Sequence, residues 1–243
     1  MSDDGRDVIV SMIRQLADAE GSTIGVRHVC RACSAILSTA GATLYTAGDY
    51  LLCEPVYATD SVSRKIAELE MVLGFGPALS ACEEEGIFVS VDLTDRASVY
   101  LWPTFVYAAV EMGVQAVSAV PVYIGLTLIG VLEIYRSTPE PLSADEAAKM
   151  LIFADEISST IRGVLNGDAT WDDGAQIFAD DLYERWPKVY QATGVMAVQL
   201  EIDATQAFLL LRATAFVSGR MLTDVADDVI AGRLHIEFDP DDR

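Results

Sequence analysis

The sequence has few of the residues on which most catalytic and metal sites depend. Among its 243 residues there are two histidines, four cysteines and only 16 basic residues against 37 acidic ones. Both histidines, His28 and His235, lie outside the central motifs described below, so a Ser-His-Asp triad is not expected. No glycine-rich phosphate loop is present. The sequence therefore predicts no metal, no cofactor and no enzyme activity.

The net charge of −21 argues against strong non-specific binding to nucleic acid or to an anionic membrane. The first residues lack the basic and apolar segments of a secretion signal. The uncharged run 112–132 is long enough to span a membrane, but its apolar residues alternate with period two, and Pro121, Gly125 and Gly130 interrupt it. A buried β-hairpin explains this run better, and we expect a cytoplasmic protein without a membrane span.

The cysteines are expected to be free thiols, as in a reducing cytoplasm. Cys30 and Cys33 form a C-x-x-C pair, but both fall on the apolar face of a predicted helix. A redox pair of this kind sits at a helix N-terminus that follows a strand, so core packing is the preferred interpretation. A zinc site needs more ligands, and His28 is expected to lie off this face.

Apolar spacing predicts an α+β arrangement in the first two thirds of the chain. The order is helix, helix, two strands, helix, strand, helix, hairpin and helix. Ser143 and Glu146 form a capping box that opens the last of these helices. The predicted boundaries are a helix from residue 8, a helix over 25–40, strands over 42–47 and 51–58 around a Gly48-Asp49 turn, a helix over 61–73, a turn over 74–77, a strand over 87–91, a helix over 105–111, a hairpin ending at 135, and a helix from 144 to about 165.

The polar stretch 166–174 is interpreted as a domain boundary, and everything after it is predicted to be helical. Pro187 is expected in the first turn of a helix. Asp203 and Gln206 form a cap for the next helix, Gly219 ends it, and a last helix begins near Thr223. Three apolar stripes would bury one shared core. They comprise Val189, Ala192 and Met196; Ala207, Leu210, Leu211 and Ala215; and Leu222, Val225, Ala226, Val229 and Ile230.

The α+β part resembles a GAF domain, an antiparallel sheet with flanking helices. The local motifs that carry the resemblance are Gly74-Phe-Gly-Pro77, Ile87-Phe-Val-Ser-Val-Asp-Leu93, Trp102-Pro-Thr-Phe105, Val120-Pro121 and Gly130-Val-Leu-Glu-Ile-Tyr135. Phe75 and Ala78 depart from the Glu and Cys that relatives often carry. The resemblance implies a pocket for a small ligand, although its aromatics can equally fill the core. The candidate lining residues are Phe75, Phe88, Trp102, Phe105 and Tyr107.

The C-terminal segment resembles an ANTAR domain. Three motifs occur in the family's order and spacing: Gln191-Ala-Thr-Gly194, Ala207-Phe-Leu-Leu-Leu-Arg212 and Arg220-Met-Leu-Thr-Asp-Val-Ala226. The resemblance implies a three-helix bundle that binds paired hairpins in nascent RNA and prevents terminator formation, with two copies acting together. Gly194 lies inside a helix, where it costs about 1 kcal/mol relative to alanine, so another helix or RNA is expected to approach it.

Cationic and polar residues away from the apolar stripes are the candidates for RNA contact. Thr193 stands where many relatives carry lysine. Residues 185–234 hold five basic and five acidic residues, so the bundle is neutral and the acidity lies mostly elsewhere. RNA binding is therefore expected to weaken at high salt. The predicted RNA-binding residues are Lys188, Gln191, Thr193, Arg212 and Arg220.

The prediction as a whole is a transcription antitermination regulator in which a GAF sensor controls an ANTAR domain. The predicted divisions are 1–165 for the sensor with its dimerisation helices, 166–186 for a connecting helix or linker, 187–235 for the ANTAR domain and 236–243 for an acidic tail. A homodimer is expected because the first helix and the 147–165 helix carry apolar stripes that a lone sensor need not bury.

Two alternatives remain open. The bundle could bind a protein in a signal-sensing scaffold, or the chain could resemble GAF-fold enzymes that reduce free methionine sulfoxide through cysteines. The second alternative would use Cys53 and Cys82. It is disfavoured because the acidic residues beside both would raise, and not lower, the pKa of the thiols.

Overall fold

The computed structural model describes residues 3–47, 54–83, 88–166 and 181–235. Its centre is a five-stranded antiparallel sheet with the strand order β2-β1-β5-β4-β3. The strands are β1 (Gly41–Thr46), β2 (Glu54–Ala58), β3 (Val89–Asp92), β4 (Ala116–Ile124) and β5 (Thr127–Arg136). The hairpin predicted within the uncharged run is confirmed as β4 and β5. Gly125 adopts the left-handed conformation, with φ of 63°, at the turn between them.

Three helices form a layer with one hydrophobic core against the sheet. They are α1 (Asp3–Glu20), α2 (Val26–Ile36) and α7 (Ala144–Leu165). The Ser143 capping box is confirmed. The apolar stripe of α1 packs on α2 and α7 of the same chain, where Ile9 and Ile13 are buried. The premise that this stripe needs a second chain is therefore wrong.

The remaining helices of this part are α3 (Ser61–Leu73), α4 (Pro77–Glu83), α5 (Arg96–Leu101) and α6 (Pro103–Glu111). Helix α3 has the predicted bounds. Two short helices were not predicted: α4 follows the Gly74–Pro77 turn, and α5 begins at an Asp95 cap. Proline at the first helical position extends α6 to an earlier start than predicted. Helix α2 ends earlier than predicted, because the chain turns at Ser38 with φ of 51°.

The C-terminal part is a three-helix bundle of α8 (Asp181–Leu200), α9 (Ala204–Ser218) and α10 (Leu222–Ile230). The Asp203–Gln206 cap and the Gly219 stop of α9 are confirmed. Pro187 lies inside α8, so the prediction that it starts a helix is wrong. Proline costs that helix one backbone hydrogen bond, and burial of Trp186 and Val189 on either side offsets the loss.

Within the described ranges, no single helix is long and apolar enough to cross a membrane. Residues Arg185–Leu200 and α9 satisfy the same criteria only as a pair, which is bent by 110°.

The cysteines divide into two kinds. Cys30 and Cys33 are free and fully buried in α2, as predicted, and burial raises the pKa of Cys33 well above its usual range. Cys82 is disulfide-bonded, so the expectation of a free thiol is wrong for this residue. Sequence spacing does not reveal which cysteines lie close enough in the fold to form a disulfide. Cys53 lies outside the described residues.

His28 also differs from the prediction, because its side chain is completely buried. Its Nδ1 accepts a hydrogen bond of 2.9 Å from the backbone N–H of Gly25, and its Nε2 lies 2.9 Å from the carboxylate of Glu20. The imidazole therefore anchors the first turn of α2 to the end of α1. Burial is the main cause that lowers the pKa of His28.

Candidate functional site

The contact between the bundle and the preceding residues organises all the candidate sites. We call residues 3–47, 54–83 and 88–166 the α+β unit, and residues 181–235 the bundle. Helix α8 packs on the edge strand β2, while α9 and α10 pack on α3. The bundle's apolar stripes share one buried cluster with side chains of the α+β unit, including Met71 and Leu79. The two parts therefore have a continuous hydrophobic contact.

Glu68 of α3 supplies the cap for α10. Its Oε2 accepts a hydrogen bond of 3.0 Å from the backbone N–H of Leu222, and its Oε1 accepts one of 2.8 Å from the hydroxyl of Thr223. The N-cap residue Met221 has no capping side chain of its own. A carboxylate at a helix N-terminus is also favoured by the helix dipole. Burial raises the pKa of Glu68, although these hydrogen bonds and the charge of Arg185 oppose that shift.

Arg212 of α9 reaches in the opposite direction, from the bundle to the α+β unit. Its Nε donates a hydrogen bond of 3.2 Å to the carbonyl of Val72. Its guanidinium stacks 5.8 Å from the ring centre of Phe208 and occupies the space that a side chain at Gly74 would fill. Burial lowers the pKa of Arg212. One of the predicted RNA-binding cations is thus held in the interface between the two parts.

The other predicted RNA-binding residues lie in different settings. Lys188 forms an ion pair of 2.9 Å with Asp227, and Arg220 forms one of 2.6 Å with Asp228. Gln191 is exposed. Thr193 is only 5% exposed and donates a hydrogen bond to the carbonyl of Val189, so the prediction that it lies away from the core is wrong. A threonine in a helix can bond its hydroxyl to the preceding turn, which lets it face inward.

The α8–α10 edge of the bundle carries alternating charges. Arg185 pairs with Asp224 at 2.5 Å, and Arg233 shares Asp228 with Arg220. Four of the bundle's five basic residues lie on this edge, beside three aspartates. Asp227 and Asp228 thus bind Lys188, Arg220 and Arg233, and Arg212 lies elsewhere. The edge holds one more cation than acids and is exposed to solvent.

Gly194 lies on the exposed surface of α8. Beyond the backbone of its own helix and its chain neighbours, a Cβ atom placed there would meet no atom of the described residues within 4 Å. The expectation that a neighbouring helix approaches this glycine is therefore wrong. The described residues provide no packing reason for a glycine at this position.

The five aromatics expected to line a ligand pocket do not surround one described cavity. Trp102 and Phe105 are buried in one core cluster, and Phe88 packs against another. Tyr107 is 67% exposed. Phe75 lines a cavity that lies between the α+β unit and the bundle.

The cleft between the two parts was not foreseen from the sequence. It has a volume of about 410 Å³ and lies between α3, α6 and the α9–α10 corner. A second depression of about 320 Å³ shares Val72, Thr104 and Phe216 with it and extends toward Phe75 and Arg212. We call the first cavity the interdomain cleft. It is lined by Lys65, Glu68, Leu69, Val72, Thr104, Ala108, Met112, Ala215, Phe216, Gly219, Arg220 and Met221.

A pair of buried carboxyl groups lies at the centre of the α+β unit. The hydroxyl of Tyr45 lies 2.8 Å from Glu70 and 2.9 Å from Glu133, and the hydroxyl of Tyr135 also donates to Glu133. Gly76 leaves room for the Glu70 side chain, because a Cβ there would overlap it. One Tyr45 proton cannot be donated to both carboxylates, so the geometry is satisfied when one of the two carboxyl groups is protonated and donates to the Tyr45 oxygen.

Burial raises the pKa of Glu133 to about 7 and that of Glu70 well above its usual range, and the negative charge of Glu133 adds to the shift at Glu70. Oε1 of Glu133 has no hydrogen-bond partner among the residues that the structure describes. The sequence signal for this pair was a glutamate between buried apolar residues in the Gly130–Tyr135 motif, which was interpreted only as part of a family motif. Among the described residues, no group of three or more His, Cys, Asp or Glu side chains is arranged to hold a metal.

Comparison with known proteins identifies the fold of the α+β unit. No protein-family model matches the chain, and no curated protein matches it as a relative. A GAF domain from an Acinetobacter phosphoenolpyruvate-protein phosphotransferase matches 70% of this chain and 100% of that domain, with 11% identity and a TM-score of 0.50. The GAF domain of a two-component sensor histidine kinase from Bacillus halodurans matches 60% of this chain and 100% of that chain, with 13% identity and a TM-score of 0.43.

The first of these matches supports a GAF fold, and the predicted α+β class with an antiparallel sheet is confirmed. These matches concern GAF domains, so the resemblance of the bundle to ANTAR domains stays a prediction.

Proposed function

We propose that the chain is an RNA-binding regulator in which the GAF-fold α+β unit controls the bundle. The observation that supports this most is the exposed α8–α10 edge, where Lys188 and Arg220 lie together with further cations. The polar face of α8 adds Gln191 and the unhindered backbone at Gly194. Close approach of a phosphate or a base to such a backbone would explain why glycine is used where alanine would favour the helix.

The charges on this edge fit a specific and salt-sensitive contact better than a general one. Each cation is held by an aspartate, and exposed ion pairs of this kind are worth little, so RNA phosphates can replace the aspartates at modest cost. The aspartates also repel nucleic acid that cannot place its phosphates on the cations. This agrees with the strongly acidic chain as a whole.

The position of Arg212 supports control of the bundle by the α+β unit. While the bundle is docked, this guanidinium bonds to Val72 and is unavailable to RNA. Release of the bundle would expose this guanidinium and would also remove the cap that Glu68 provides to α10. A signal that changes the docking equilibrium would thus change the number of cations offered to RNA.

Electrophoretic mobility shift with paired RNA hairpins tests RNA binding. Arg220→Ala should weaken binding about tenfold, because a charge-assisted hydrogen bond contributes roughly 1.5–3 kcal/mol. Arg233→Ala is the matched control: it also removes a cation paired with Asp228 but stands outside the ANTAR-like motifs, and it should change affinity less than about threefold. The slope of log affinity against log salt should fall by about one for Arg220→Ala.

Equal effects of the two substitutions would indicate non-specific attraction, and no binding to any hairpin pair at low salt would overturn the proposal. The docking step has its own test. Gly74→Ala forces the Arg212 guanidinium out of its place, so it should raise RNA affinity, and an unchanged or lower affinity in folded protein would contradict control through Arg212.

A homodimer is part of the proposal, since the resemblance implies two bundles acting together. Most of the apolar stripes of α1 and α7 are used within the chain, but Val8, Leu151 and Leu165 remain exposed on them. Light scattering of the intact protein should give twice the chain mass of 26.2 kDa. A monomer mass at micromolar concentration would remove this part of the proposal.

A protein-binding scaffold is the second candidate. Helix α9 exposes Leu209, Phe216 and Val217 to solvent, and exposed apolar side chains grouped on one element favour a partner. This candidate would be favoured if the intact protein bound no hairpin pair in the mobility shift but retained a protein partner through the exposed apolar surface of α9.

A further inference from the structure

The geometry points to a binding site for a small amphiphilic carboxylate in the interdomain cleft, with Lys65 and Arg220 at the carboxylate and the apolar chain between α6 and α9. Its volume of about 410 Å³ falls within the range of roughly 300–1,000 Å³ typical of small-molecule sites, which often lie between domains. This inference does not depend on RNA binding.

The walls of the cleft are suited to an apolar body. Leu69 and Val72 of α3, Ala108 and Met112 at the end of α6, and Phe216 of α9 form most of the lining. Phe216 is 54% exposed, so covering its ring would remove apolar surface from water. The adjoining depression toward Phe75 gives a longer chain room to continue.

The polar groups of the cleft select an anion. Its lining holds two cations and one carboxylate, in a chain whose net charge is −21. Glu68 is occupied, since both of its oxygens accept hydrogen bonds from α10. Lys65 is exposed and forms no ion pair with any residue of the described ranges, so its ammonium is available. Arg220 is exchangeable, because its partner Asp228 is also held by Arg233.

A ligand seated in this cleft would contact both parts of the molecule. Lys65, Leu69 and Met112 belong to the α+β unit, whereas Phe216 and Arg220 belong to the bundle. Binding would therefore require the docked arrangement and would stabilise it in proportion to ligand concentration. The concentration of a metabolite that binds there would therefore change the fraction of molecules in which the bundle is docked on the α+β unit.

Isothermal titration calorimetry of the intact protein with octanoate, and with 1-octanol as the uncharged probe, tests the inference. Octanoate should bind with one site per chain and more tightly than 1-octanol. Lys65→Gln should weaken octanoate binding about tenfold, as loss of a charge-assisted contact does, and should leave 1-octanol binding unchanged. The matched control is Lys149→Gln on α7, outside the cleft, which should leave both unchanged.

Blocking the cleft gives the second arm. Thr104→Trp replaces an exposed residue at the cleft wall, so the fold should tolerate it, and Ala108→Phe fills the cleft from the same helix. Each should abolish binding of both probes while the circular dichroism melt without ligand stays within a few degrees. Absence of octanoate binding up to millimolar concentration, or binding that survives Lys65→Gln and Thr104→Trp unchanged, would overturn the inference.

Discussion

The two parts of the molecule begin their helices in different ways. In the α+β unit, Asp60, Asp95 and Ser143 each cap the helix that directly follows them. In the bundle, Asp203 does the same for α9, but α10 is capped by Glu68, which lies more than 150 residues earlier in the chain. These three helices of the α+β unit are thus capped by the residue that precedes them, whereas the bundle depends on its neighbour for the cap of α10.

The same contrast applies to charge. The α+β unit buries carboxyl groups at Glu68, Glu70 and Glu133, each with a raised pKa. The acids of the α8–α10 edge are partly exposed and paired with cations, and at Asp228 those cations lower the pKa. Burial therefore makes the stability of the α+β unit depend on pH near neutrality. The stability of the bundle depends instead on salt and on its contact with the α+β unit.

The largest expected effect is the pH dependence of the α+β unit. The pKa of Glu133 is about 7 in the folded protein and close to its ordinary value of 4.5 when unfolded. The folded state therefore binds more protons than the unfolded state between these two pH values. The contribution of Glu133 to the free energy of unfolding is fully present below pH 4.5 and is lost as pH rises through about 7. The slope should reach about 1.4 kcal/mol per pH unit for one proton.

Urea unfolding between pH 5 and 8 measures this, and Glu133→Gln should flatten the dependence. Glu146→Gln is the control: the hydroxyl of Ser143 and then Arg136 lower the pKa of Glu146 to about 2, so its contribution is complete above pH 5. A variant Glu133→Gln with the full wild-type slope would refute the role of the buried pair.

The next effect concerns the borrowed cap. Glu68→Ala should destabilise the bundle by about 2 kcal/mol, since it leaves the N–H of Leu222 and the hydroxyl of Thr223 without their charged partner. Hydrogen exchange should quicken throughout α10. Asp203→Ala removes the bundle's own cap at a cost of about 1 kcal/mol and should quicken exchange mainly at the start of α9. Identical exchange patterns in the two variants would contradict the difference between the cap that Glu68 gives to α10 and the cap that Asp203 gives to α9.

A core substitution tests whether the α+β unit is independent of the bundle. Cys33→Ala should lower the stability of the α+β unit by roughly 1–3 kcal/mol, as expected for a small buried side chain. It should leave RNA binding intact in the folded protein. Dependence of RNA binding on this thiol, or on its oxidation, would show that a redox sensor had been mistaken for core packing.

The smallest expected effect is an increase in the stability of the bundle. Gly194→Ala should stabilise the bundle by about 1 kcal/mol, because alanine favours the helix and the described residues leave space for the new Cβ. Thermal unfolding measures the gain. If RNA approaches this backbone, the same variant should bind hairpin pairs more weakly, and a stabilised variant with unchanged RNA affinity would exclude Gly194 from the contact.

Local patterns in the sequence were sufficient for the helices and strands that carry their own signals. The Ser143 and Asp203 caps, the Gly219 stop and the period-two hairpin all depend on residues a few positions apart, and all are confirmed. Helix α8 was predicted to start too late, because Pro187 was given more weight than the burial of its neighbours. Thr193 and His28 were expected on the polar side for a similar reason: the sequence shows that a residue is polar, but not which partner it finds.

The sequence by itself determined the α+β class, the bundle that follows it and the apolar stripes of both, since these depend on periodicity and on short-range hydrogen bonds. Only the tertiary structure decided that Glu68 caps α10, that Arg212 bonds to Val72 and that Gly74 leaves room for it. These contacts join residues roughly 140 or more positions apart, and no local pattern specifies such a pairing. It arises when two apolar surfaces are buried against each other and the polar groups at their border must find partners.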